Sequence, residues 1–160
     1  MNPATTIIIP SFNNKHLLMN CVESVKLYTR NYSLLIIDNN SCEDTVNYLK
    51  HLETTNQAAV IYNSDNLGFS KSINIGLNKV KTDYILLLNN DIEVTKNWLV
   101  SLIKIAEEDE KVGIVGSKLY YPGSNIIQHA GVTISYNERN QLIPHHIYNN
   151  ISENDIGKLE

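Results

Sequence analysis

Four times between Thr5 and Ala106, a short run of apolar, often β-branched residues gives way to apolar residues spaced three and four apart. An unbroken apolar run reads as a strand buried on both faces, and the three-to-four spacing as one face of a helix. Strands that alternate with helices cannot pair through tight hairpins. They form a parallel sheet whose crossovers place helices on both faces. Residues 5–9 are halted by Pro10, and Leu17, Leu18, Cys21, Val22, Val25 and Tyr28 then mark a helix. Residues 33–37 end at Asp38. Ser41 stands three residues before Asp44 in capping-box spacing, ahead of a helix carrying Val46, Leu49 and Leu52 inward. A third strand covers residues 58–62. Phe69, Ile73, Leu77 and Val80 mark the next helix, with Gly76 where a strand can pass closely. Residues 84–88 form the fourth strand, followed by a Thr95 cap and a helix presenting Trp98, Leu99, Leu102, Ile103 and Ala106.

Beyond that helix the signal changes. Residues 112–115 predict one more strand, and shorter strand-like pieces at 118–121 and 126–135 flank a Pro122-Gly123 turn. No period is evident from Tyr136 onward. The expected organisation is a doubly wound α/β core over residues 1–135, with 136–160 as loop or tail.

Composition removes several classes. A net charge of -4, a pI near 5.7 and scattered Lys and Arg argue against a nucleic-acid partner. No apolar run reaches the roughly 18 residues of a membrane span, and no secretory leader pattern opens the chain. Cys21 and Cys42 lack metal or redox spacing and are expected as reduced thiols in a cytoplasmic protein, with the inner face of the membrane as a second location. Three Asn-x-Ser sequons, at Asn31, Asn39 and Asn150, are then chance matches in an Asn-rich chain.

In a doubly wound sheet the ends of strands one, two and four meet along one edge, where such folds bind ligands. That edge would collect Pro10, Phe12 and Asn13, then Asp38 to Ser41, then Asn89, Asn90 and Asp91. Asp91 is a candidate metal ligand. Asp38 suits the imide N–H of a pyrimidine or a ribose hydroxyl, and equally a turn or helix N-cap; Asn39, Asn40 and Ser41 divide between capping and ligand contact. The loop after strand one carries no GxGxxG, and no GxxxxGK[ST] exists, so a dinucleotide fold and a phosphate loop are both disfavoured. A receiver-type phosphoacceptor would need acidic residues where Ser11, Phe12 and Asn13 stand.

Taken together, TIIIPSFNN, IIDNNS, NLGFSKSINIG, LLLNNDIEV and VGIVGSKLYYPGSNIIQHAGVTIS resemble, in order and spacing, the family 2 glycosyltransferases of GT-A fold, across roughly residues 5–135. The last segment is most similar to the bacterial polysaccharide and rhamnosyl-type branch. The resemblance implies transfer of a sugar, with inversion, from a UDP- or dTDP-sugar to a hydroxyl of a glycan or lipid-linked acceptor. Pro10, Phe12 and Asn13 would line the nucleoside pocket, Asp38 would bind the base, and Gly68 and Asn74 would shape the wall at the ribose and base. Asn89-Asn90-Asp91 stands where the family has Asp-x-Asp, making Asp91 the ligand of Mn2+ or Mg2+.

Some positions depart from the family pattern. Asn89 replaces the first Asp, and Ile73 stands where many relatives carry Arg. The family's catalytic carboxylate lies well downstream of the QHAG-like segment, and neither Glu153 nor Asp155 has the expected apolar flanks. His129, His145 and His146 lack a third ligand at suitable spacing. The expectation is a donor-binding part, truncated at its C-terminal side, that turns over little donor alone and self-associates through an exposed apolar face; a non-catalytic nucleotide-sugar-binding module is the rival.

Overall fold

The computed structural model describes residues 5–158. The chain divides into two compact units, one ending at Trp98 and one beginning at Leu99.

The first unit is built on four parallel strands in the order β3-β2-β1-β4: β1 (Thr5–Ser11), β2 (Tyr32–Asp38), β3 (Ala59–Tyr62) and β4 (Tyr84–Leu87). Helices α1 (Lys15–Tyr28), α2 (Glu43–Thr54) and α3 (Gly68–Leu77) connect them. Side chains alternate along a strand, so the apolar runs of β1 and β2 feed two cores, whereas Ile85 and Leu87 of β4 are exposed. Ile7, Ile9, Leu34, Ile36 and Leu88 face α1 and α2 through Leu18, Cys21, Val22, Val25, Leu49 and Leu52. Ile8, Leu35 and Ile37 face Ile73 of α3. Helices therefore cover both faces. Gly76 shows why α3 can lie so close: a Cβ there would stand 3.0 Å from Ile8 Cγ2 and 3.2 Å from its Cδ1.

Pro10 sits inside a central strand, an unusual place for a residue without an N–H. The N–H and C=O of one strand residue point to the same side. Leu88 donates to Ile8 O at 3.0 Å and Asn39 donates to Ser11 O at 2.8 Å, so even positions face β4 and odd ones β2. The β4 pairing stops at Ile8 opposite Leu87, leaving Pro10 beyond it with no ladder bond to lose.

Helix α4 (Trp98–Glu108) opens at the boundary residue, and Trp98 Nε1–H donates to Thr29 Oγ1 at 2.9 Å within the first unit. The second unit holds two hairpins: β5 (Leu119–Tyr120) with β6 (Ile127–His129), and β7 (Val132–Tyr136) with β8 (Leu142–His146), followed by a 3-10 turn, Glu153–Lys158. The strand expected at 112–115 is not one, because no strand among the described residues pairs with it; Ile114 is 93% exposed. Conversely, the segment from 136 carries β8 and the 3-10 turn. Turn geometry organises it rather than apolar period: Asn137 Oδ1 accepts from the backbone of Arg139 and of Gln141, both at 2.9 Å.

Candidate functional site

The site lies wholly in the first unit, at the carboxyl ends of β1, β2 and β4. Its floor is a pair of loops clipped together. Asn13 and Asn14 take φ of 54° and 52°, the left-handed region that Asn tolerates better than most residues. This turn aims Asn13 at the β2–α2 loop: its N–H donates to Ser41 Oγ at 2.8 Å, and its Oδ1 accepts from the Cys42 N–H at 2.7 Å. The capping box expected at Ser41 is thereby replaced. Ser41 spends its hydroxyl oxygen on Asn13, and Cys42 stands at the N-cap. Lys15 Nζ and Asp44 Oδ1, 2.7 Å apart, close the outer rim of the same two loops.

Asp38 ends β2 at 1% exposure. Its Oδ2 accepts from the Ser41 N–H at 3.2 Å, whereas its buried Oδ1 has no partner. An unsatisfied buried acceptor costs roughly 1–3 kcal/mol, and a charged one more. Such an atom is a strong invitation to a donor. Next to it, Asn39 is also buried, and its Oδ1 accepts from Asn63 Nδ2 at 3.0 Å and lies 2.6 Å from the Ser72 hydroxyl. That hydroxyl is also 2.7 Å from Gly68 O, so its single proton serves one of the two. Asn39 thus ties the ends of β2 and β3 to the first turn of α3. Gly68 has φ of 73° with nothing within 4 Å of where a Cβ would be, so its backbone borders open space.

At the end of β4, α1 grips the loop that follows. Ser24 Oγ accepts from Val94 N–H at 3.0 Å, Asn20 Nδ2 donates to Glu93 Oε1 at 3.2 Å, and Cys21 Sγ lies 3.5 Å from Asn89 O. Burial, and then the Asp91 charge, push the Cys21 thiol up to about 12, so it is a neutral packing group. Cys42 differs. It is exposed, and the backbone N–H of Thr45 draws its thiol below the ordinary value. Asn90 is half-buried, with Nδ2 3.5 Å from Ser11 Oγ, while Asn89 and Asp91 are exposed. The Asp91 carboxylate forms no hydrogen bond or ion pair among the described residues.

The structure therefore brings together most of the residues expected from sequence. Pro10, Asn13, Asp38, Asn89, Asn90 and Asp91 lie on one sheet edge, Phe12 is 44% exposed beside them, and Gly68 reaches them through Ser72 and Asn39. Asn74 is exposed on α3, and no side-chain bond among the described residues links it to the group. Sequence reasoning missed Asn39 as a junction, Ser24 and Asn20 as supports, and Ser72. No local signal marks them, because their partners lie 24 to 73 positions away. Glu153 is bound to Lys118 in the second unit. A concavity of about 540 Å³ lined by Lys26, Arg30, Asn56 and Gln57 lies at the opposite, amino end of the sheet. Its guanidinium already donates to the carbonyls of Lys26 and Thr29, whereas the carboxyl edge holds the unsatisfied Asp38 oxygen and the free Asp91 carboxylate.

Known proteins similar to this chain identify its family and fold. A protein of Sinorhizobium fredii named uncharacterized protein y4gI is 34% identical over 137 residues, covering 82% of this chain and 15% of that protein. Glycosyltransferase GlyG of Streptococcus pneumoniae is 21% identical over 127 residues, 78% of this chain and 42% of its own length. The chain thus spans less than half the length of these curated relatives. Among solved structures, the mannosyltransferase PcManGT of Pyrobaculum calidifontis, in complex with GDP-Man and Mn2+, superposes with a TM-score of 0.63 at 18% identity, over 71% of this chain and 34% of that one. GalNAc-T7 with UDP, GalNAc and Mn2+ gives 0.61 at 22% identity, over 67% and 21%. These likenesses establish the GT-A fold. The profile of glycosyl transferase family 2 matches residues 6–157, nearly the whole chain, and the chain belongs to that family.

Proposed function

We propose that this chain is the donor-binding part of an inverting glycosyltransferase, which takes a UDP- or dTDP-sugar and delivers the sugar to a hydroxyl of a glycan or lipid-linked acceptor. The observation that carries the reading is the unpartnered, buried Oδ1 of Asp38 at the end of β2. The imide N3–H of uracil or thymine supplies the donor this oxygen lacks, whereas adenine offers a lone pair at the corresponding ring nitrogen. Asp38 ends β2 and Asp91 follows β4, two strands separated by β1 and so about 10 Å apart. That spacing suits a nucleoside laid across β1, with its base at Asp38 and its diphosphate toward Asp91.

The Asp91 donor set fits a hard divalent ion. A single exposed carboxylate leaves most coordination positions for diphosphate oxygens and water, the usual arrangement for Mn2+ or Mg2+. When bound, such an ion neutralises charge developing on the departing nucleoside diphosphate. The chain's own residues do the rest of the donor side. Asn13, Ser41 and Cys42 hold the two loops in register, Asn39 fixes the turn behind Asp38, and α1 steadies the loop bearing Asp91 through Ser24. In the transfer itself the acceptor oxygen forms a bond to the anomeric carbon as the bond from that carbon to the diphosphate breaks. The acceptor proton needs a base. Glu153 is already committed to Lys118, an observation that favours the rival of a non-catalytic nucleotide-sugar-binding module for the chain alone.

Titration calorimetry with UDP, with and without Mn2+, tests the reading. Asp91→Asn is expected to abolish the metal-dependent part of the affinity and leave the rest; unchanged metal dependence would remove Asp91 from the site. UDP should compete better than ADP, and Asp38→Ala should erase that preference with a loss of roughly 1–3 kcal/mol. Equal competition by the two nucleotides on the unaltered chain would sink the base assignment. A transfer assay with several nucleotide sugars separates enzyme from module: little or no turnover is expected from these 160 residues alone.

A further inference from the structure

We propose that His129 and His146, in the second unit, form a two-imidazole site for a divalent transition metal of the Cu2+, Ni2+ or Zn2+ class, distinct in chemistry from the carboxylate edge. His129 ends β6 and His146 ends β8, strands of different hairpins. Their Nδ1 atoms stand 3.0 Å apart, and the rings meet edge to face at 78° with centroids 5.2 Å apart. Two ring nitrogens therefore stand side by side at an accessible surface, where a metal ion can replace the proton they share, since His146 is exposed and His129 half-buried.

The approach is imposed by backbone, not by the rings. Ile147 N–H donates to Gly131 O at 3.0 Å, and Asn150 N–H donates to Ile127 O at 2.8 Å. Ile127 N–H in turn donates to Ile151 O at 2.9 Å. These three bonds lash the segment after β8 along β6. Gly131, with φ of 129°, makes the turn that brings the hairpins together; an L side chain would be strained there. The pair is thus positioned before any ion arrives, and binding has little ordering to oppose it.

Coordination geometry selects the ion. At a metal–nitrogen distance of about 2.1 Å, donors 3.0 Å apart subtend an angle of about 90°, the angle between neighbouring positions of square-planar or octahedral coordination. The 3.0 Å separation matches Cu2+ and Ni2+, and tetrahedral Zn2+ requires the pair to open by a few tenths of an ångström. Imidazole nitrogen favours these ions over Mg2+ and Mn2+. No group of three or more His, Cys, Asp or Glu surrounds such a point among the described residues, so water or an incoming oxygen ligand completes the shell. His145 serves as an internal control. Adjacent residues of a strand face opposite sides, and its Nε2 is 2.8 Å from Ser135 Oγ.

The test uses the untagged chain, with Ni2+ calorimetry and Cu2+ electron paramagnetic resonance. One equivalent is expected to bind, with hyperfine structure from two imidazole nitrogens, and excess Mg2+ should not displace it. His129→Gln and His146→Gln should each weaken binding by roughly ten-fold or more. His145→Gln and Asp91→Asn should leave it unchanged, which separates this site from the proposed donor site. Wild-type affinity in either His129→Gln or His146→Gln would overturn the proposal. Should those variants fail to fold by circular dichroism, the unaltered chain decides: a spectrum without two coupled nitrogens refutes the site.

Discussion

The two units of this chain are stabilised by different means. In the first, every residue of β1 is buried, and apolar side chains on both faces of the sheet meet helices. In the second, all five residues of β7 are exposed, and of the buried apolar residues only Leu99 and Ile127 lie beyond Trp98 among the described residues. Removal of apolar area from water holds the former. The latter rests on hairpin ladders, turns and a few side-chain pairs, a kind of structure that is marginal when isolated. The contrast teaches where each sort of function can be placed. A buried, unsatisfied carboxylate such as Asp38 needs a rigid surround to persist, whereas an exposed histidine pair needs only a fixed backbone.

The sharpest way to break that contrast is to truncate one isoleucine in each unit. Ile36→Ala, fully buried on β2 against α1 and α2, is expected to cost about 2–5 kcal/mol in urea unfolding, while Ile134→Ala, 67% exposed on β7, should stay within about 0.5 kcal/mol. Comparable losses would mean that the hairpins are also held by apolar packing. A smaller effect should follow Ser24→Ala, which strands the Val94 N–H. A loss of about 1 kcal/mol is expected, with a weakened metal response in UDP binding, since α1 then loses its grip behind Asp91. Unaltered binding would show that the loop holds itself.

Turn chemistry in the second unit can be probed at Asn140, which adopts φ of 57°. Asn140→Val should destabilise the β7–β8 hairpin by about 1 kcal/mol and Asn140→Gly by only a few tenths, as read by amide exchange. Equal effects would indicate that the turn does not set the register.

The smallest effect is expected at Lys118 and Glu153. Their hydrogen bond is the main reason that the Glu153 carboxyl is held below its usual range and the Lys118 ammonium above its own. A depressed carboxyl contributes stability above its unfolded pKa and loses it as pH falls through the folded one. A raised ammonium contributes below its unfolded pKa and loses it as pH rises through the folded one. The pair should therefore support the second unit across the neutral range and fade at both extremes, and Glu153→Gln should flatten the acid limb of an NMR titration of that unit. An unchanged acid limb would assign the pH response to other groups.

Much of the fold was legible because its determinants are local. TTIII before Pro10 and the apolar run before Asp38 each declare a buried strand and where it stops, while the run before Asn89 declares a strand that is exposed at Ile85 and Leu87. Placing strands one, two and four side by side followed from chain order and the crossover rule. The apolar residues at 112–115 misled, since a strand exists only where a ladder partner accepts it. The segment after Tyr136 was read as formless because hairpins held by Asn-rich turns carry little apolar period.

By itself, then, the sequence determined the alternation of strands and helices, the parallel sheet, and the delivery of Asp38 and Asp91 to one edge, all consequences of side-chain period and of residues that end strands. Only the tertiary structure decided which polar atoms remain for a ligand. Ser41 is taken by Asn13 rather than capping its helix, Asp38 keeps one oxygen without a donor, and Pro10 is tolerated because β4 has already stopped. The approach of His129 to His146 is of the same kind. Each of these outcomes depends on groups far apart in the chain competing for the same hydrogen bonds, and that competition is resolved only when packing brings them within 3 Å or so of one another.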